Sequence, residues 1–65
     1  MQERIYDLTQ VRSLAELSIK QAAALLNIHY NTYLKLEKNP GRLTLDQALL
    51  LAEAAGIGVH QIKIR

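Results

Sequence analysis

Apolar side chains recur every three or four positions along most of this 65-residue chain, as in helices that bury one face. Two short helical patterns, SIKQAAALL and HYNTYLKLEK, lie between Ser18 and Asn39 and are joined at Leu26-Asn27-Ile28. Helices joined by so short a connection cannot lie antiparallel, so they are expected to cross steeply over one small core. The second helix then keeps a polar face that can enter the major groove of DNA.

The helices of this pair span about 18–26 and 29–38. Two further helices are predicted, one before the pair and one after it. The first runs from Asp7 to about Glu16, with Asp7 as its N-cap. Its inward positions are Leu8, Val11 and either Leu14 or Ala15. The last runs from Leu45 to Ala55, begins after a capping Thr44 and stops at Gly56. Its predicted apolar stripe is Leu45, Ala48, Leu49, Ala52 and Ala55.

The two ends of the chain carry a different pattern. The last residues, QIKIR, alternate apolar and basic side chains, which predicts a short strand, and ERIY near the start can be extended. Such a strand can pair with ERIY or across a dimer. With a short turn at 59–62, the sequence predicts one all-α, five-helix domain over residues 1–65, with short extended termini.

Composition excludes several classes of function. The chain has no cysteine, and His29 and His60 lack nearby carboxylate pairs, so neither a disulfide nor a metal site is expected. The sequence has neither paired acids nor a glycine-rich phosphate loop. We therefore expect no enzymatic activity, no cofactor and no small-molecule substrate. No apolar run approaches a membrane span, and the start, MQERIYD, is too charged for a secretory signal. A soluble, cytoplasmic binding protein is therefore expected.

The positive charge is concentrated on the middle of the chain. The net charge is only +2, but residues 18–42 hold one acid, Glu37, against four basic residues. These are Lys20, Lys35, Lys38 and Arg42. A clustered basic surface is what binding to DNA phosphates requires, although the same pattern can be a solvated helix face.

Laid out in this way, the chain resembles the Cro and phage-repressor class of helix-turn-helix regulators, also called the XRE family. The resemblance runs without a gap from Leu8 to Ile62. The matching positions are Leu8, Val11, Arg12, Leu17-Ser18, Ala23, Ile28, Tyr33, Leu36, Glu37 and the segment 45–57. The chain departs from the family pattern at Asn27 and Asn39, where glycine is usual, and at Ile19, where glutamine is usual. The resemblance implies a lambda-repressor-like fold.

The resemblance also implies a role for individual residues. Tyr30, Asn31 and Lys35 occupy base-contacting positions. Asn31 suits adenine and Lys35 guanine, whereas Tyr30 can pack on a thymine methyl group or reach a phosphate. Phosphate contacts are expected from Ser18, Lys20, His29, Lys38 and Arg42. Arg12 and Glu37 are expected to form a structural ion pair between the first helix and the end of the third.

The function implied is a transcriptional regulator of phage or bacterial type that binds double-stranded DNA as a homodimer. Its operator would be pseudo-palindromic, with half-sites about 34 Å apart. The dimer surface is expected at Val59, Ile62 and Ile64. Two alternatives remain open: an antitoxin-type module that neutralises a toxin, and the N-terminal DNA-binding domain of a longer repressor.

Overall fold

Four α-helices follow one another in the computed structural model, which describes residues 4–64. They are α1 (Leu8–Leu14), α2 (Ile19–Leu25), α3 (Tyr30–Lys38) and α4 (Leu45–Ala55). Two 3₁₀ turns, Pro40–Arg42 and Val59–Gln61, precede and follow α4. The all-α class is confirmed, but the count of five helices is not. The segment after Gly56 makes only the second 3₁₀ turn, because the chain becomes extended again at Ile62.

Three of the four helices begin with the same local structure. A side-chain oxygen at the N-cap accepts a hydrogen bond from the backbone N–H of a glutamine three residues later, at 2.9–3.1 Å. The glutamine side chain in turn accepts from the backbone N–H of the N-cap. These reciprocal pairs are Asp7 with Gln10, Ser18 with Gln21 and Thr44 with Gln47. Each cap is worth about 1 kcal/mol and fixes where its helix starts.

The same three helices also end alike. A residue at the end of each helix has a positive φ: Glu16 (58°) and Asn27 (56°) directly follow the C-cap, and Gly56 (73°) is the C-cap itself. The following residue donates its backbone N–H to a carbonyl five positions back, at 3.0–3.1 Å, and its aliphatic side chain packs against the core. These residues are Leu17, Ile28 and Ile57. This is the Schellman arrangement, which satisfies the last carbonyls of a helix and reverses the chain.

One core joins all four helices. Its buried members are Leu8, Val11, Ala22, Ala23, Leu26, Tyr33, Leu36, Leu43, Ala48, Leu51, Ala52 and Ile62. The stripe predicted for α4 is wrong at two positions, since Leu45 and Leu49 are exposed and Leu51 is buried instead. The leucine-rich sequence of α4 supports more than one stripe, and packing against α1 and the second 3₁₀ turn selects the face of Ala48, Leu51 and Ala52. The sequence left open whether Leu14 or Ala15 faces the core from α1. Ala15 is half-buried and Leu14 is exposed, so the inward residue is Ala15.

The predicted terminal strand is reduced to one parallel bridge between Tyr6 and Ile62. The backbone N–H of Tyr6 donates to the carbonyl of Gln61, and that of Lys63 donates to the carbonyl of Tyr6, each at 2.7 Å. The C-terminal segment thus pairs with the N-terminal segment of its own chain. Glu3 and Arg65, which belong to the predicted extended segments, lie outside the described residues.

Candidate nucleic-acid interface

Helices α2 and α3 form a tight pair around the turn at Leu26-Asn27-Ile28. Ala22, Ala23 and Leu26 on one side belong to the same buried cluster as Tyr33 and Leu36 on the other. Asn27 takes the left-handed conformation that glycine adopts most easily and asparagine tolerates best among other residues. The face of α3 opposite this contact is left exposed.

That exposed face carries the three residues predicted to contact bases. Tyr30, Asn31 and Lys35 are all exposed, and Asn31 and Lys35 lie one helical turn apart. An asparagine amide can bond adenine in two places, and a lysine can donate to O6 and N7 of guanine. Thr32, which the sequence did not single out, is exposed next to them. These four exposed side chains all carry groups that can form hydrogen bonds.

Helix α3 begins differently from the other three helices. Its N-cap is His29, whose ring atom Nδ1 accepts the backbone N–H of Asn31 at 3.1 Å. A neutral imidazole has one acceptor nitrogen and one N–H donor. Because Nδ1 is the acceptor here, the proton is on Nε2. The imidazole therefore fixes the start of α3 with one nitrogen and keeps a donor on the other. This donor suits the phosphate contact that was predicted for His29.

The cations predicted to contact phosphates lie on three neighbouring elements. Lys20 is in the first turn of α2, Lys38 ends α3, and Arg42 closes the first 3₁₀ turn, and all three are exposed. Ser18 caps α2 through its hydroxyl, which already accepts the N–H of Gln21 at 3.1 Å. Gln21 was missed, although the Ser-x-x-Gln spacing indicates its capping role.

The one acid of this segment does not oppose these cations, because Glu37 is held by Arg12. Arg12 Nε forms an ion pair with Glu37 Oε2 at 2.8 Å. Arg12 Nη1 also donates to the carbonyl of Leu17 at 3.2 Å, and the hydroxyl of Thr9 donates to Glu37 at 3.3 Å. The hydrogen bond to Glu37 raises the pKa of Arg12. The pair joins α1 to the end of α3 and engages the one acid of the segment 18–42.

Tyr33 lies beneath this ion pair and is completely buried. Within residues 4–64 its hydroxyl is the one buried side-chain polar atom that makes no hydrogen bond. Burial raises the pKa of Tyr33 far above its ordinary value, and the neighbouring Glu37 carboxylate raises it further. The ring fills the core under α3, whereas the hydroxyl contributes an unfavourable desolvation.

Tyr33→Phe is therefore expected to stabilise the protein by about 1 kcal/mol at neutral pH, because it removes an unpaired buried hydroxyl. Because its pKa is raised, Tyr33 also makes the stability of the fold depend on pH. The folded state keeps the Tyr33 proton where the unfolded chain loses it, so stability falls as the pH rises above the ordinary tyrosine pKa of 10.0. The Phe variant should lack this loss. Urea unfolding at neutral and alkaline pH measures both effects.

Tyr30→Phe is the matched control for this experiment, because Tyr30 is exposed on the same helix. It should leave the stability at neutral pH unchanged. A clear destabilisation by Tyr33→Phe would mean that the hydroxyl has a hydrogen-bond partner and would contradict the prediction.

We also searched the described part of the chain for a metal site, a membrane-spanning helix and a pocket. Residues 4–64 contain no group of three His, Cys, Asp or Glu side chains that could hold a metal ion. Their longest helix has 11 residues, and none is long and apolar enough to cross a membrane. A shallow depression of about 250 Å³ is lined by Tyr6, Gln10, Ser13 and Leu14. It includes none of the residues predicted to bind DNA.

Comparison with known proteins agrees with this geometry. A model of the helix-turn-helix family matches residues 8–62, which include all four helices and the second 3₁₀ turn. No significant match to a curated protein or to a solved structure was found.

Proposed function

Since the chain belongs to the Cro and XRE type of helix-turn-helix family, whose members are DNA-binding regulators, we propose that it binds a specific duplex operator and controls transcription from it. One observation carries this proposal: the exposed polar face of α3 is flanked by Lys20, Lys38 and Arg42, and none of these three forms an ion pair within residues 4–64. Such a surface combines side chains that can discriminate bases with charges that can neutralise phosphates.

We assign the base contacts to Tyr30, Asn31 and Lys35 and place α3 in the major groove. Asn31 would bond an adenine, Lys35 a guanine, and Tyr30 would pack on a thymine methyl group or reach a phosphate. The support for this assignment is their shared exposure on α3.

We assign the phosphate contacts to residues around the edge of the same surface: Ser18, Lys20, His29, Lys38 and Arg42. Lys20, Lys38 and Arg42 supply charge, and His29 supplies the Nε2 proton left free by its capping bond. Ser18 is the N-cap of α2, whose first backbone N–H groups favour an anion. Contacts of this kind set the position of the protein on DNA without discriminating its sequence.

We further propose that two copies bind one pseudo-palindromic operator, with each α3 in one half-site. Two recognition helices on the same face of DNA require half-site centres about 34 Å apart, one helical turn. A symmetric pair of modest contacts would reach an affinity that one small domain cannot.

Binding to duplex DNA should depend steeply on salt. Three phosphate-binding cations per monomer predict a slope of log K against log salt of about −2.7 per bound monomer, and twice that for a dimer. Lys38→Ala should make the slope shallower by about 0.9 per monomer, because one counterion-releasing contact is lost. Fluorescence anisotropy of a labelled duplex between about 50 and 200 mM salt measures the slope.

Lys63→Ala is the control for the salt experiment, since Lys63 is exposed outside the segment 18–42. It should leave the slope unchanged. If the parent protein binds no duplex at low salt, the DNA-binding proposal is wrong.

A further inference from the structure

The first turn of α3 is capped by a side chain that can change its charge, the imidazole of His29. Its Nδ1 atom accepts the backbone N–H of Asn31, the second residue of the helix, at 3.1 Å. The caps of α1, α2 and α4 instead bond the third residue of each helix, and a glutamine at that position returns a bond to the cap. The start of α3 therefore depends on the protonation state of one imidazole.

The backbone on both sides of Asn31 is anchored, so the imidazole bond acts on a defined position. Before His29, the backbone N–H of Ile28 donates to the carbonyl of Ala23 at 3.0 Å, and the Ile28 side chain packs against the core. After it, the N–H of the buried Tyr33 donates to the carbonyl of His29 at 3.0 Å. The bond to His29 thus holds the backbone of Asn31 itself. Because the Asn31 side chain leaves from this backbone, the bond also sets the direction in which its amide can reach a base.

The charged side chains on α3 and on the elements packed against it are mostly basic. These elements are α1, α2 and the first 3₁₀ turn. Glu37 is the one acid in these four elements, and it is bonded to Arg12 about two helical turns beyond His29. The other charged or titratable side chains of these elements are Lys20, Tyr30, Tyr33, Lys35, Lys38 and Arg42. A positive charge on His29 would therefore find its partner in a DNA phosphate and not in a carboxylate of these elements.

Protonation of His29 is incompatible with its capping bond. Histidine is the side chain that ordinarily changes charge between about pH 5 and 8. A proton on Nδ1 turns the acceptor into a donor, which then faces the N–H donor of Asn31. It also places a positive charge beside the exposed N–H groups at the start of α3, where the helix dipole disfavours it. The bond to Asn31 is therefore present while the ring is neutral and is lost as the pH falls.

We propose that His29 is a positioning residue for Asn31 and that it makes the choice of DNA sequence depend on pH. This inference rests on the proposed function, because it takes Asn31 to contact a base. The neutral ring holds the first turn of α3 in the geometry from which Asn31 bonds a base edge. The protonated ring releases this turn and offers its charge to a phosphate. Acidification then favours binding to any sequence at the expense of the selected one.

The capping bond is tested on the free chain, without DNA. Nitrogen NMR of the imidazole at neutral pH should show the proton of His29 on Nε2, and the amide signal of Asn31 should move with pH along the same curve as the ring. In His29→Ser the Asn31 amide should stay unchanged between about pH 5.5 and 7.5, because serine caps a helix without titrating. A neutral ring protonated on Nδ1, or an Asn31 amide that does not follow the ring, overturns the proposal whether or not the chain binds DNA.

The effect on sequence choice is measured as the ratio of the dissociation constants of two duplexes. One is the duplex that the parent selects from a randomised library, and the other is changed at the base pair where Asn31→Ala loses its preference. The ratio for the parent should fall about three- to tenfold between about pH 7.5 and 5.5, the effect of losing one N-cap. His29→Ala should show the lowered ratio at both pH values. His29→Ser should restore the ratio and make it independent of pH, although it binds every sequence more weakly because the phosphate donor is lost.

His60→Gln is the control for the second histidine, which lies on the second 3₁₀ turn outside the segment 18–42, and it should keep the pH profile of the parent. A ratio that is independent of pH in the parent, or that falls equally in His29→Ser, overturns the proposal. If Asn31→Ala keeps every preference of the parent, the proposal is wrong although specific DNA binding stands. A parent that binds no duplex refutes the proposed function and with it the effect on sequence choice, whereas the NMR result decides separately whether His29 holds Asn31.

Discussion

Ile62→Asp is expected to remove a large part of the stability of the protein. Ile62 is only 5% exposed, belongs to the core and is bridged to Tyr6 by the terminal backbone pairing. The substitution removes a buried aliphatic side chain and places a carboxylate in an apolar site, at a cost of about 4 kcal/mol or more. A domain of this size has a total stability of roughly 3–10 kcal/mol.

This result distinguishes a core residue from an interface residue. If Ile62 lay at a dimer surface, as the sequence suggested, a charge there would give a folded monomer. Ile64→Asp is the control, because Ile64 is 40% exposed two positions along the same segment, and it should cost less than about 0.5 kcal/mol. Thermal and urea unfolding followed by circular dichroism measure both variants. A cooperatively folded Ile62→Asp protein with parental stability would contradict the structure of the C-terminal segment.

The second large effect is expected on the choice of DNA sequence. Asn31→Ala and Lys35→Ala should each relax the preference at one or two base pairs of each half-site, by about 1–3 kcal/mol, which is roughly 5- to 150-fold. The reason is that each side chain can make direct hydrogen bonds to a base edge from the exposed face of α3. Selection from a randomised duplex library, followed by affinity measurements on single-base variants, gives the preference at every position.

Lys38→Ala and Arg42→Ala are the comparison for this experiment. They should weaken binding to all sequences by a similar factor and leave the selected site unchanged, because phosphate contacts do not discriminate bases. A library profile for Asn31→Ala that is identical to that of the parent would contradict the assignment of Asn31 as a base contact.

The sequence alone determined where most helices begin and end. Asp7, Ser18 and Thr44 could be identified as N-caps because capping depends on a side chain and on backbone groups within three residues. Gly56 and Asn27 could be identified as helix ends for the same reason, since few other residues adopt a positive φ easily. Glu16 was missed in this role because nothing in a glutamate indicates the left-handed conformation. Local chemistry was sufficient wherever the interaction itself was local.

The candidate site was predictable to a similar extent. The spacing of the α2–α3 pair places Tyr30, Asn31 and Lys35 away from the core, and the structure shows them exposed. The spacing could not show that the Nδ1 atom of His29 accepts a hydrogen bond from the backbone N–H of Asn31. Nor could it show that Thr9 and the Leu17 carbonyl complete the surroundings of the Arg12–Glu37 pair.

Only the tertiary structure decided which of several apolar residues are buried. The leucine-rich sequence of α4 allows two faces to pack, and α1 and the second 3₁₀ turn select the one with Leu51, which leaves Leu45 and Leu49 exposed. Ile62 and Ile64 are the same residue type two positions apart, yet the bridge to Tyr6 turns one inward and leaves the other exposed. Burial depends on neighbours that are distant in sequence, because the hydrophobic effect has no direction of its own and packing alone chooses the face.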